Sequence, residues 1–299
     1  LATLAQWIEG ARPRTLPAAV APVLVGTASA HALGGADLAL ALLALIVALG
    51  FQVGVNYAND YSDGIRGTDE DRVGPVRLVG QRLADPANVR TAAFTCFFGA
   101  SVAGLALVAL AETWLLLIVG LAALWAAWHY TGGKNPYGYR GLGEVMVFVF
   151  FGLVAVLGTT WTQAHRIDLA TVAGAVACGL LPCAILVTNN LRDLESDRAV
   201  DKRTLAVRLG FGRTRQLYTG LVVGAFVMVL VAALAHPSAL LALLAAPLAL
   251  RPLRIVRGET YGRELLPALA RTGVLQLGFA VALSLGLALS PVLGVPGIL

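Results

Sequence analysis

Charge is scarce in this sequence. Only 13% of its 299 residues are Asp, Glu, Lys or Arg, against 58% hydrophobic. A soluble domain carries about 25% charged and about 45–50% apolar residues. The shortage excludes a globule wetted on all sides, and the mean hydropathy of +0.78 points to a lipid-covered surface. Cysteine is scarce too. Cys96, Cys178 and Cys183 have no C-x-x-C spacing, which leaves packed thiols as their reading. His31, His129, His165 and His236 are scattered, so no histidine metal centre is indicated. Period-two alternation is missing as well, and with it the signature of a transmembrane β-barrel.

What is present is a series of long apolar runs, each close to the roughly 20 residues that a helix needs to cross about 30 Å of hydrocarbon. In lipid, helices satisfy every backbone group. The expected fold is therefore all-α and polytopic, one transmembrane domain over residues 1–299. About nine helices are expected, at 15–33, 38–62, 88–110, 113–131, 143–162, 169–193, 213–235, 238–256 and 265–289. Pro182 and Pro247 are expected to interrupt the sixth and eighth. The first run follows Arg12 and Arg14 and continues into the next span, so it reads as a helix and not a cleaved signal peptide.

All Lys and Arg except Arg166 fall in segments on one side of these helices. The positive-inside rule makes that side cytoplasmic, with the N-terminus inside and the region around Leu299 outside. A bacterial cytoplasmic membrane is the expected location. The net charge of +5 is then a topology signal. Nucleic-acid binding has little support, because the basic groups are dispersed among carboxylates. Nothing in the sequence calls for an obligatory protein partner.

Two acidic clusters stand at helix ends on the basic side. The first reads NYANDYSDGIRGTDED from Asn56, with Asn56, Asp60 and Asp63 spaced four and three apart. The second reads NNLRDLESDRAVDKRTLAVRLG from Asn189, with Asn189, Asp193, Asp197 and Asp201 each four apart. Such spacings put side chains on one helix face. The shared Asn–Asp step hints at an internal duplication of helix groups. An Asp at mid-bilayer costs about 2.5–3.5 kcal/mol, and an interfacial position lowers that cost. Repulsion within a cluster is relieved by a bound cation. Asp and Asn oxygens suit Mg²⁺, commonly held by one or two carboxylates plus phosphate oxygens. Nearby Arg66 and other basic groups would meet the rest of a diphosphate.

Other residues carry two readings each. Lys202 and Arg203 suit phosphate, or anchor the chain at the interface. Arg12 and Arg14 stand where they would close the site from below. Lys134, Tyr137 and Tyr139 in TGGKNPYGYRGLGE suit an aromatic acid, or mark the membrane interface. Glu144 is an acid beside the site or a polar helix end. Asp37, Glu112 and Asp168 fall on the opposite side and are expected to take no part in catalysis.

The clusters resemble those of the UbiA superfamily of intramembrane aromatic prenyltransferases, which carry an NDxxD-type motif after helix 2 and a DxxxD motif after helix 6. Asn59, Asp60 and Asp63 match the first, and Asp193 and Asp197 the second. The resemblance implies a UbiA-type helical bundle with a cytoplasmic-side active site. It also implies an isoprenyl diphosphate held through Mg²⁺ between the motifs. One departure is Gly67, where a common form of the family has another Asp; Asp69 lies two residues on. ARPRTLPAAVAPVLVG, ANDYSDGIRGTDEDRVGPVRLV, YGYRGLGEVMVFVFFG and the second cluster resemble most closely the branch that prenylates 1,4-dihydroxy-2-naphthoate in menaquinone synthesis. That branch implies transfer from a polyprenyl diphosphate with loss of carbon dioxide. A prenyltransferase for 4-hydroxybenzoate or homogentisate is the alternative within enzymes. A cation-coupled transporter is the alternative outside them, and it would place its acids near mid-membrane.

Overall fold

The computed structural model describes residues 2–67 and 76–294, and the described residues are helical with no strand. A short helix α1 (Leu4–Gly10) leads through a 3-10 turn at Pro13–Thr15 into α2 (Pro17–Ala32). Next come α3 (Leu38–Ile65), α4 (Pro86–Leu110) and α5 (Leu116–His129). A fifth apolar segment is built from α6 (Gly143–Val147), a π-helical stretch at Phe148–Val154 and α7 (Ala155–Ala164). It is followed by α8 (Leu169–Arg192), α9 (Leu194–Ala199) and α10 (Leu205–Ala235). A 3-10 stretch at Pro237–Ala245 precedes α11 (Ala246–Arg257), and Gly262–Leu265 precedes α12 (Leu266–Leu293).

Among the described residues, seven helices are long and apolar enough to cross a membrane. The bent pair Leu4–Thr15 and Pro17–Ala32, turned by 49°, makes an eighth. The ninth expected segment is α5, at 14 residues. It rises about 21 Å, and the hydrogen-bonded turns from Thr113 to Ile118 lengthen its path across the hydrocarbon. Leu38, Phe98 and Leu115 are exposed, as a lipid-facing surface requires.

Short polar residues start these helices. Asp37 Oδ1 accepts from the Leu40 amide (2.9 Å) and starts α3. Asp85 accepts from Ala87 N (2.7 Å), with Pro86 at the first helical position of α4. Pro182 leaves α8 a single helix, contrary to the expected interruption. Pro247 instead follows the 3-10 stretch that takes the place of half of the expected eighth helix. The seventh helix begins at Leu205, eight residues before the expected start, and kinks at Gly210, whose φ of 73° suits glycine. The π-helical stretch brings Gly152 against α8, where a Cβ would lie 2.5 Å from Gly179 Cα.

Helix α8 is the centre of the bundle, with 72% of its most apolar stretch buried. It packs on α10, and α2 packs on α12, around a core that includes Val25, Leu181, Tyr218 and Phe279. A second group pairs α3 with α4 around Tyr57, Leu78 and Phe97, with α5 resting on it. The two acidic motifs lie at the same end of the bundle, at the C-terminal ends of α3 and α8.

At the opposite end, His236 joins three helices. Its Nε2 lies 2.7 Å from Asp168 Oδ2, and its Nδ1 lies 2.6 Å from Ser290 Oγ. Asp168 Oδ1 also caps α8 by accepting from the Thr171 amide at 2.8 Å. Burial pushes the Asp168 carboxyl up, but the bonds from His236 and Thr171 outweigh it and bring it down to about 2. A carboxylate with a lowered folded value stabilises above its unfolded value of about 3.9. That contribution is lost as pH falls through about 2. Asp168→Asn keeps the helix cap and removes the charge facing His236. It should melt a few degrees below the native protein at neutral pH, with the gap closing between about pH 4 and pH 2. Equal melting temperatures at pH 7 would show that this contact contributes nothing.

Candidate active site

The last turns of α3 face inward, with Asn56, Asn59, Asp60 and Asp63 all buried. Each is held differently. Asn56 Nδ2 donates to the Ala11 carbonyl (2.9 Å) and Thr15 Oγ1 (3.0 Å), fixing the elbow before α2. At that elbow Arg12 takes a left-handed φ of 55°. Asn59 Oδ1 accepts from the Thr131 hydroxyl at 2.8 Å. Asp60 Oδ2 accepts from the Leu78 amide (2.6 Å) and Oδ1 from the Val79 amide (3.1 Å). It therefore clamps the chain that returns from the acidic loop, with the Arg12 and Arg77 charges in electrostatic reach. Asp63 Oδ1 accepts from the Tyr139 hydroxyl at 2.7 Å.

Tyr139 is the bridge between the two motifs. Arg66 sits over its ring at 5.5 Å and also donates to the Thr131 and Gly133 carbonyls. Lys202 Nζ sits 4.8 Å from the ring centroid and 3.7 Å from Asp197 Oδ1. The line Asp63–Tyr139–Lys202–Asp197 thus joins α3 to α9 through the loop before α6. Asp193 at the end of α8 accepts from both Arg192 Nε and Nη2 at 2.6 Å, a buried forked ion pair.

Other expected residues lie apart from this line. Asp201 and Arg203 pair at 2.9 Å in solvent, 80% and 69% exposed. Arg14 and Lys134 are exposed, and Asn189 is half-buried. Asp69 lies outside the described residues. Glu144 is buried, and its Oε1 accepts from Asn190 Nδ2 at 2.9 Å. Tyr137 donates to the Ala126 carbonyl at 2.7 Å, and burial pushes its hydroxyl above the usual range, so it stays a neutral donor. Thr131 and Asn190 were not expected. Asn190 sits three residues before Asp193, also on the motif's face, so the doubled asparagine was the available signal.

A cavity of about 520 Å³ lies among α2, α3, α4, α5 and the α6–α7 segment, with Tyr137, two residues from Tyr139, in its wall. Its near end is walled by Val55, Tyr130 and Tyr137, and its far end by Leu107, Leu116 and Thr162. On α5 it extends from Leu116 to Ala127, about 16 Å along the axis. Its walls are almost wholly apolar.

Asp63 stands in the last turn of α3 and Asp193 at the end of α8, where the helix dipoles are already negative, and Asp197 lies on the short α9 that follows. Such a place favours a cation. Among the described residues no three His, Cys, Asp or Glu side chains gather as a complete metal cage. Mg²⁺ does not need one, since it is usually bound through one or two carboxylates together with substrate phosphates. The donor set of Asp63 and Asp197, with Lys202 and Arg66 beside them, fits that mode.

Residues 19–264 match the model of the UbiA prenyltransferase family. The 1,4-dihydroxy-2-naphthoate octaprenyltransferase of Mycobacterium tuberculosis is 56% identical over 288 residues, covering 96% of this chain and 98% of the relative. That of Escherichia coli is 42% identical over 275 residues, covering 89% of each. A UbiA homolog from Archaeoglobus fulgidus, solved bound to GPP and Mg²⁺, superposes with a TM-score of 0.65 at 14% identity, over 95% of this chain and 99% of that one. This last likeness bears on the fold, the sequence likenesses on descent. With two acidic motifs joined through Tyr139 at one end of a multi-pass bundle, and with these sequence likenesses, the chain belongs to the UbiA prenyltransferase family.

Proposed function

We propose that this protein transfers a polyprenyl group from its diphosphate to 1,4-dihydroxy-2-naphthoate, with loss of carbon dioxide. The product is the demethylated precursor of menaquinone. The observation that carries the reading is the Asp63–Tyr139–Lys202–Asp197 line, with an apolar cavity whose wall includes Tyr137, two residues from Tyr139, together with the 56% identity to an enzyme named for this acceptor. Asp63 and Asp197 hold Mg²⁺, and Lys202 and Arg66 meet the remaining diphosphate oxygens. Mg²⁺ supplies Lewis-acid neutralisation of the leaving diphosphate. Tyr139 keeps Asp63 and Lys202 in register through its hydroxyl and its ring. The cavity takes the prenyl chain and excludes water, so the allylic carbon is met by the naphthoate ring and not by solvent.

The test is a product assay by mass spectrometry. Purified protein receives Mg²⁺, a polyprenyl diphosphate and a panel of aromatic acids. Prenylated, decarboxylated naphthoate is the expected product. A prenylated 4-hydroxybenzoate or homogentisate in its place would overturn the acceptor assignment. In the same assay EDTA should abolish turnover and added Mg²⁺ restore it, and full activity in metal-free buffer would remove the metal from the mechanism.

The proposed location is the bacterial cytoplasmic membrane, with the chain acting as one domain and the carboxylate end inside. Among the described residues, all Lys and Arg but Arg166 lie toward that end. Single cysteines at Lys134 and at Glu112, in a background without native cysteines, should label from opposite sides of sealed vesicles. Labelling of both from the outside would invert or break this topology.

A further inference from the structure

Three glycines on the cavity wall have no packing reason to be glycine. Gly152 and Gly26 are different, because a Cβ at either would fall 2.5 Å from Gly179 Cα or 2.7 Å from Thr159 Cβ. At Gly120 and Gly158 a Cβ would meet no atom within 4 Å, and at Gly104 only Val47 Cγ2 at 3.7 Å. Glycine weakens a helix relative to alanine, and here no neighbour compensates. All three line the cavity. They are also grouped in depth. Gly104 lies six residues before the end of α4, Gly120 four residues into α5 and Gly158 six residues before the end of α7. These ends face away from the carboxylates, which puts the three within about 6–9 Å of the far face along the helix axes. The near end of the cavity is walled by bulkier Phe51, Val55, Tyr130 and Tyr137.

Bulky side chains line both ends, Leu107 and Leu116 among them at the far one, but at these three far positions the wall carries no side chain. An occupant explains this if it enters from the carboxylate end and is long enough to reach the far one. We propose that Gly104, Gly120 and Gly158 hold the far end of the cavity open for the distal isoprene units of the donor and so set the enzyme's preference for long chains. This rests on the functional reading above. A cavity of about 520 Å³ is of the size that holds a drug-sized ligand, so a longer chain fills it to the far wall before its remainder passes out into lipid. A short chain ends before the glycines.

The experiment compares geranyl diphosphate with octaprenyl diphosphate in Gly120→Leu, Gly158→Leu and the milder Gly158→Ala. Gly99→Leu serves as control, because Gly99 is exposed on α4, has open space around its Cβ and does not line the cavity. Both leucine variants should lose on the order of tenfold or more in kcat/KM with the octaprenyl donor while staying within about twofold with the geranyl donor. Gly158→Ala should fall between, and the control should change neither. Equal losses with both donors, or no loss with either, would overturn the proposal. Thermal shift with each diphosphate gives a second readout. The leucine variants should lose the stabilisation by the long donor and keep that by the short one, and losing both or neither would again overturn it. Native protein that turns over neither donor would sink the functional reading instead, and the thermal shifts would still decide the role of the glycines.

Discussion

Asp63→Asn and Asp197→Asn should each lower kcat/KM by on the order of 10²-fold or more. The change keeps the size of each side chain and removes one negative charge. At position 63 the Tyr139 hydroxyl, 2.7 Å from Oδ1, can donate to the amide oxygen of Asn as well as to a carboxylate. The bridge to α9 then survives and only the ability to hold a cation is lost. A hundredfold loss corresponds to about 2.7 kcal/mol of transition-state stabilisation, at about 1.36 kcal/mol per tenfold. The two variants should differ in stability. Asp63 stands near the negative end of α3, so removing its charge should leave melting in EDTA unchanged or raised. Asp197 faces the buried Lys202 at 3.7 Å, and its neutralisation leaves that ammonium without its carboxylate. Asp197→Asn should therefore melt lower than Asp63→Asn. Glu112→Gln, exposed at the opposite end, is the control for both. Turnover near the native rate in both Asp variants would mean that the clusters are merely solvated helix ends.

Hydropathy runs were enough to find every apolar segment, because a lipid-spanning helix must be long and continuous. They could not report backbone geometry. The π-helical Phe148–Val154 and the 3-10 stretch Pro237–Ala245 have the composition of ordinary helix. Gly152 against Gly179 is a contact between helices and has no local pattern. At the site, spacing singled out the carboxylates, and those of the first cluster share one helix, but the second cluster is divided, because α8 ends at Arg192 and Asp197 lies on α9. Their occupations were hidden. The partners of Asp60 lie 18 and 19 residues away in a loop without regular periodicity. The staple at the far end was hidden in the same way. Asp168 is 68 residues from His236, and Ser290 a further 54. Scattered histidines therefore read as isolated, and Asp168 as an acid of no consequence. Asp201 shows the converse. Its four-residue step continues the motif, but the chain leaves the helix at Ala199, and the side chain turns out to Arg203.

Asp60→Asn separates two readings of the first motif. By spacing alone Asp60 is one ligand among several, and relief of repulsion would make its loss stabilising without metal. The geometry calls for the opposite. Both carboxylate oxygens accept backbone amides, from Leu78 at 2.6 Å and Val79 at 3.1 Å, and all three residues are buried. Bonds from an amide to a carboxylate are about twice as strong as neutral ones. In Asn one oxygen becomes an NH2 group that confronts an N–H. One amide is left unsatisfied, at about 1–3 kcal/mol, and the other keeps only a neutral bond. The clamped segment is tightly seated. Val79 lies where even a Cβ on Gly64 would come within 2.5 Å, and Leu78 lies 2.9 Å from the corresponding point on Gly10. Relaxation to suit the amide is therefore restricted on two sides. Asp60→Asn should melt several degrees below the native protein with EDTA present, the reverse of Asp63→Asn. Its turnover should fall as well, since the clamp holds the loop against the helix turn that presents Asp63, and added Mg²⁺ should not restore it. A variant as heat-stable as the native protein in EDTA, and rescued by high Mg²⁺, would show that Asp60 serves the cation and not the loop.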